Sequence, residues 1–455
     1  MSASNLPREF RRNGRTASGN IQRAMTGGSR GLNGSAVAND EQSPLLRENQ
    51  SNKKHLWEDE RAWVRYPARF WHITWLTLTS NYVNVLLVFV PVGIVMGALG
   101  LNPTAVFIIN FLAIMPLASL LSFATEELSA KLGETVGGLM NATFGNAVEL
   151  IVSIVALQRN EIVIVQASML GSILSNILLV LGSCFVAAGF RNDQAHFSPL
   201  LASTLSSLMA VATTSLIIPA TLYASLQNSN ADAKDAVLFL SRGTSIVMLL
   251  LYILYLVFQM RTHGKIFDQE RQNDQPEQDQ DEEEKEPQIL NPVAAGVCLI
   301  IITLLVAVCA EYLVNSIDHI VETAHISKTF IGLILLPIVG NAAEHVTAIV
   351  VAYKNKMNLA IGVALGSSMQ IALFVTPFLV ILGWIMGNDM SLQFGVFETV
   401  VFFLSVLVVN YLIQDGKSNY LEGAMCLGTY FIIALAFYVY PDDAHDTGSI
   451  FRSGV

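Results

Sequence analysis

Gly145-Asn146-Ala147-Val148-Glu149 and Gly340-Asn341-Ala342-Ala343-Glu344 are two copies of one stretch, each carrying a carboxylate into the middle of a long apolar run. A charged side chain at mid-bilayer costs about 2.5–3.5 kcal/mol or more, so such a residue points to function by default. Two in matching frames are stronger evidence than either alone. The chain of 455 residues around them is 53% hydrophobic and only 14% charged, with mean hydropathy +0.50. Apolar runs of about 20 residues, enough to cross about 30 Å of hydrocarbon, recur along most of it. The strands of a β-barrel would be shorter and would alternate. The expected fold class is therefore an all-α polytopic membrane protein.

The apolar runs place about 11 transmembrane helices at 76–99, 104–128, 137–158, 162–189, 198–223, 237–260, 292–316, 328–352, 359–386, 394–413 and 421–440. Sliding the chain on itself by 195 residues aligns Glu149 with Glu344, Asn160 with Asn355, and Leu170-Gly171-Ser172 with Leu365-Gly366-Ser367. Across 145–176 against 340–371, 10 of 32 positions are identical without a gap. The identities fall on Gly, Asn, Glu and Ser more than on interchangeable aliphatics. A weaker echo upstream pairs Glu126 with Glu311. This predicts a duplication of five helices after one extra helix, 1+5+5. Four spans lie between the helix of Glu149 and that of Glu344, so the two are five steps apart, and each step reverses direction. The two should run antiparallel, as inverted-topology repeats that place a substrate at mid-bilayer.

The charge is concentrated outside the spans. Residues 1–70 hold 12 Lys and Arg against 7 Asp and Glu, while 263–290 hold 10 Asp and Glu against 3 Lys and Arg. The expected domains are a disordered basic cytosolic tail (1–70), the first span with the first repeat (71–262), an acidic cytosolic loop (263–290), the second repeat (291–441) and a short C-terminal tail (442–455). The acidic loop reads as a solvated linker or a weak cation collector, without the ligand spacing of an EF-hand. The tail contains Glu41-Gln42-Ser43-Pro44-Leu45-Leu46, which fits the acidic dileucine pattern read by sorting adaptors, or else is plain linker. The short loops put Lys131, Arg191, Lys354, Lys356 and Lys417 on the side of the basic tail, and Arg159, Lys234, Lys328 and Arg452 on the other. Charge confined to a tail and a loop gives no reason to expect a nucleic-acid partner. The expected partners are membrane lipid and the transported ions. Cys184, Cys298, Cys309 and Cys426 lie in apolar runs without CxxC spacing and read as small buried residues.

Asn146 and Glu149, like Asn341 and Glu344, stand three residues apart on one helical face. Two carboxylates, two amides and nearby carbonyls make an all-oxygen site. Ca²⁺ takes 6–8 oxygens at about 2.3–2.6 Å, and two Glu balance a divalent charge. No Cys or His cluster offers a softer site. Ser172, Ser175 and Asn176 on one companion helix, and Ser367, Ser368 and Gln370 on the other, either complete the shell or form interhelical hydrogen bonds. His345, beside Glu344, either modulates a proton or packs. Glu126 and Glu311 are candidates for a path or gate, and Glu398 stands without a repeat partner. In general a carboxylate shut away from water favours its protonated form, and a bound cation favours the ionised one. That gives a physical basis for exchanging a divalent cation for protons.

Asn141-Ala-Thr-Phe-Gly-Asn-Ala-Val-Glu149-Leu-Ile, Gly340-Asn-Ala-Ala-Glu344-His345 and Gly366-Ser-Ser-Met-Gln370-Ile-Ala resemble the paired signature repeats of vacuolar Ca²⁺/H⁺ exchangers, the cation/proton branch of the calcium/cation antiporters. Asn84-Val-Leu-Leu-Val-Phe-Val-Pro-Val-Gly-Ile94 and the acidic loop are similar too. The resemblance covers 75–440. It implies proton-driven loading of the vacuole with Ca²⁺, with Mn²⁺ as an alternative cargo. It also implies Glu149 and Glu344 as ion and proton sites, with Asn146 and Asn341 beside them and Ser175 and Gln370 as further members. A Na⁺-driven Ca²⁺ exchanger on the same fold and a passive Ca²⁺ channel remain alternatives. No ATP-binding loop, phosphorylated-Asp motif or nucleotide domain suggests an enzyme or a cofactor.

Overall fold

The computed structural model describes residues 82–132, 134–226, 233–262 and 290–441. The basic tail, the dileucine pattern at Glu41, Leu45 and Leu46, the start of the first span, the acidic loop up to residue 289 and the C-terminal tail from 442 lie outside the described residues. In chain order the helices are α1 (Val83–Ala98), α2 (Pro103–Ser129), α3 (Glu134–Phe144), α4 (Ala147–Gln158), α5 (Ile162–Gly189), α6 (Pro199–Leu226) and α7 (Ala233–Thr262). They continue as α8 (Pro292–Ala324), α9 (Lys328–Gly340), α10 (Ala342–Tyr353), α11 (Met357–Met386), α12 (Val396–Leu412) and α13 (Tyr420–Val439). Among the described residues, seven of these are long and apolar enough to cross a membrane: α2, α5, α6, α7, α8, α11 and α13. The bent pair α9–α10 makes an eighth span, while α1, α4 and α12 are shorter apolar helices. Among the described residues, then, seven helices, or eight with the bent pair taken as one, have the length and composition of a span, against about eleven apolar runs in the sequence.

The ends of these helices follow local chemistry. Pro103 and Pro292 start α2 and α8, where a missing N–H costs nothing. Asn102 accepts a hydrogen bond from Thr104 N at 2.9 Å, and Asn419 accepts from Leu421 N and Glu422 N ahead of α13. Gly387, at φ +80°, ends α11 in a left-handed turn that a side chain would resist. Glu398 also finds its role here: it is buried and accepts from Gly395 N at 3.0 Å, capping α12.

The polarity is arranged inside out. Phe239, Ile385, Leu435 and Val439 face outward on the periphery, while Asn146, Ser175, Asn176, Asn341 and Ser368 are buried at the centre. Cys184, Cys309 and Cys426 are buried apolar-type thiols, and Cys298 is half-buried.

The repeat is visible in the backbone. Asn160 and Asn355 both adopt positive φ, 60° and 65°, in the tight turns after α4 and α10. The hydrogen bonds of the two turns match position for position: Glu161 N donates to Ala156 O, and Lys356 N to Val351 O. α5 opens into a wider π turn at Ser175–Val180, and α11 does so at Ile371–Val375. Its inversion follows from where the ends meet. α5 is 28 residues long, which spans about 42 Å at 1.5 Å per residue. It starts one tight turn after the end of α4. Just past its other end, Arg191 donates to Tyr353 O at 3.2 Å and sits over the Tyr353 ring, at the end of α10. Reciprocally, Asn388, just past the end of α11, donates to Leu157 O in α4 at 2.7 Å. α4 and α10 therefore end on opposite faces of the molecule, although both begin at its centre, so they run in opposite directions. Arg191, Tyr353 and the short strand pair Ala195–His196 with Lys417–Ser418 gather on one face. Arg159, Lys234 and Lys328 gather on the other, paired with Glu311, Asp389 and Glu161.

Candidate ion-binding centre

The helices bearing the two glutamates are broken, which corrects the expectation of continuous spans over 137–158 and 328–352. α3 stops at Phe144, α4 starts at Ala147, and Asn146 between them sits at φ −100°, ψ 26°. α9 and α10 meet at Asn341, φ −90°, ψ 3°, with a bend of 59°. The cause is local: Gly followed by Asn pairs a residue of high backbone entropy with one that favours caps over helix interiors. Asn and Glu thus do not share one face of an unbroken helix. Each Asn is the residue before a half-helix, and each Glu lies in that helix's first turn. A half-helix that starts inside a membrane brings its positive end to the site, an arrangement known where transporters hold ions.

Neither Asn side chain caps its own helix; both reach across to the other half. Asn146 Nδ2 donates to Gln370 Oε1 at 2.7 Å, and its Oδ1 accepts from Ser367 Oγ at 2.9 Å. Ser367 Oγ in turn accepts from Asn176 Nδ2 at 3.1 Å. In the other half, Asn341 Nδ2 donates to Ser175 Oγ at 3.4 Å, and Ser175 Oγ donates to Ser172 O at 3.1 Å. Asn146–Gln370 and Asn341–Ser175 are the same contact under the 195-residue repeat. The sequence pairs these residues by register, and the fold joins them across the halves.

The carboxylates interlock with the opposite break. A Cβ at Gly340 would lie 2.7 Å from Glu149 Oε1, so only glycine lets Glu149 approach this closely. A Cβ at Gly145 would lie 3.8 Å from Glu344 Oε1. Glu149 is buried and Glu344 half-buried. Glu149 Oε2, Glu344 Oε2 and Asn341 Oδ1 are buried without a hydrogen-bond partner among the described residues. Unpaired buried oxygens are costly, more so when charged. Three acceptor oxygens on residues held by neighbouring amides and hydroxyls are a donor set that suits a hard cation or protons.

The remaining candidates are dispersed. His345 is half-buried with Nε2 unpartnered. Glu311 is exposed and pairs with Arg159 at 2.9 Å, and Glu126 is also exposed, so neither joins the central network. Two features went unread in the sequence. One is Ser153, one turn beyond Glu149 on the same helix face, whose buried Oγ has no partner. The other is Lys328, which ties Glu161 and Asp318 together at 2.9 and 2.7 Å across the halves. A polar residue where the repeat has Ala348 was the available signal for Ser153.

The sodium/calcium exchanger protein family model matches residues 102–261 and 294–439. The vacuolar calcium ion transporter of Schizosaccharomyces pombe is 52% identical over 364 residues, covering 80% of this chain and 86% of that protein. The vacuolar cation/proton exchanger 3 of Oryza sativa is 42% identical over 369 residues, covering 81% and 88%. Among solved structures, native YfkE is 35% identical with a TM-score of 0.65, covering 78% of this chain and all of that one. A selenium-substituted form of the same protein, described as a Ca²⁺/H⁺ antiporter, gives 34% and 0.64.

Proposed function

This chain belongs to the sodium/calcium exchanger protein family, and from that premise we propose that it is a vacuolar antiporter moving Ca²⁺, or Mn²⁺, from the cytosol into the vacuole in exchange for H⁺. The relatives' names and the multi-pass helical fold support this reading. The observation that carries it is the pair of buried carboxylates, each in the first turn of a half-helix and each with an unpartnered oxygen.

In this reading Glu149 and Glu344 hold either the cation or protons. Asn146 and Asn341 add amide oxygens, and Ser172, Ser175, Ser367 and Gln370 hold those amides in place. A cation entering between the carboxylates replaces the protons that neutralise them, and departure of the cation lets protons return. Because one ion site is shared by two inverted halves, rocking of one half against the other opens it to alternate faces. The proton gradient alone drives the cycle, and the Arg-rich tail faces the cytosol, where an adaptor reads Glu41, Leu45 and Leu46. In this reading His345, Glu126 and Glu311 serve the routes to the site rather than the site itself.

The test is uptake by the full chain in reconstituted vesicles with an acid interior. Ca²⁺ should accumulate until a protonophore is added, and replacing Na⁺ with choline should change nothing. Glu149→Gln and Glu344→Gln should each abolish uptake, and full activity with both replaced would sink the mechanism.

A further inference from the structure

Beside Glu149 lies a cavity of about 20 Å³, room for one water molecule and too little for a hydrated ion. Apolar side chains from both halves line it, among them Ile114, Leu313 and Leu336. Its polar lining is Glu149, Ser153, Ser168 and Ser172. Two of these carry a buried oxygen without a partner: Glu149 Oε2 and Ser153 Oγ, the latter on a residue only 1% exposed. Ser168 already donates to Val165 O at 2.9 Å, which leaves its oxygen free to accept. A water needs two to four polar partners to occupy a buried site, and these supply them. The repeat breaks at this point: the position equivalent to Ser153 is Ala348, which has no hydroxyl.

We propose that this cavity holds one water molecule between Ser153 and Glu149, and that a divalent cation bound at Glu149 keeps this water as one of its ligands. The inference rests on the antiport reading and extends it to ion selectivity. Ser153 is then a positioning residue, acting on the cation through the water. Small divalent cations give up water reluctantly, whereas Ca²⁺ accepts many arrangements of oxygens. A retained water therefore matters more for Mn²⁺ than for Ca²⁺.

The experiment compares Mn²⁺ and Ca²⁺ uptake by the full chain in acid-interior vesicles for wild type, Ser153→Ala and Ser153→Thr. Alanine leaves the cavity wall without its water anchor. The KM for Mn²⁺ should rise about tenfold and that for Ca²⁺ about threefold, with the maximal Ca²⁺ rate little changed. Threonine, which keeps the hydroxyl, should restore the wild-type ratio. The ratio of the two ions does not depend on how much protein folds. An unchanged Mn²⁺ to Ca²⁺ preference in Ser153→Ala overturns the inference. So does a high-resolution structure of the full chain without an ordered water in hydrogen-bonding reach of Ser153 Oγ. Absence of acid-driven Ca²⁺ uptake in the wild type would overturn the antiport reading instead, and the presence or absence of that water would still decide this inference.

Discussion

The two halves carry the same motif but are not packed alike. At Gly171, in α5, a Cβ would lie 2.1 Å from the Leu333 carbonyl oxygen in α9, so the two backbones are in direct contact. At the equivalent Gly366, in α11, a Cβ would meet nothing within 4 Å. α9 runs inward from the face that holds Lys328, and its contact with α5 joins the two backbones closely on that side. Around Gly366 the structure is looser. The two halves of the inverted repeat are thus packed unequally in this one conformation. The hydrogen bonds are unequal in the opposite sense, with Asn146–Gln370 on α11 at 2.7 Å against Asn341–Ser175 on α5 at 3.4 Å.

The largest effect expected from this comparison is at the glycines. Gly171→Ala forces the α5–α9 contact apart, and overpacking of this kind costs about 1–3 kcal/mol or more. It should lower the thermal midpoint of the purified protein by several degrees and cut Ca²⁺ uptake at least about tenfold. Gly366→Ala should leave both close to wild type. Equal damage at the two positions would mean that the halves are packed alike during transport.

The next effect concerns the hydrogen bonds across the halves. Gln370→Ala removes the shorter contact and leaves a buried amide unpaired, which costs about 1–3 kcal/mol. The KM for Ca²⁺ should rise about tenfold or more, whereas Ser175→Ala, at the longer contact, should raise it only about two- to threefold. A reversed order in uptake assays would show that the weaker-looking half holds the ion more tightly.

Smaller still is the effect at the ion pairs of Lys328. Lys328→Met removes contacts to Glu161 and Asp318, and a partly exposed ion pair is worth about 1 kcal/mol or less. A slightly lower thermal midpoint, with the difference from wild type shrinking as salt is added, is the expected result. The smallest effect is at Asp389, outside the spans. A hydrogen bond from Lys234 and its positive charge hold the Asp389 carboxyl below its ordinary value. A lowered carboxyl favours the folded state above its unfolded value, and that contribution fades as the pH falls through the folded one. The midpoints of wild type and Asp389→Asn should therefore converge in acid, with a gap above about pH 4 too small to alter transport.

Much of the fold was legible because membrane spans obey a length rule that composition alone reveals. The limits 162–189 read from the sequence coincide with α5, and α2, α6, α11 and α13 lie within a few residues of expectation. The breaks were not legible as breaks. A hydropathy pattern averages over about 20 residues, so a two-residue interruption at Gly145-Asn146 vanishes into its apolar flanks. Glu126 and Glu311 show what a repeat alone leaves open: it pairs them in sequence, and the fold sets both at exposed positions, Glu311 beside Arg159 at 2.9 Å.

The sequence by itself determined that the chain is a helical membrane protein, that it repeats after 195 residues, and that Glu149 and Glu344 are its unusual charges. These follow from residue type and spacing, which tertiary contacts do not alter. Only the tertiary structure decided that each Asn amide crosses to the opposite half, that Gly340 admits Glu149, and that Ser153 shares a water-sized cavity with it. Those features depend on how two helices from distant parts of the chain meet, and distances between such helices are set by packing rather than by position along the chain.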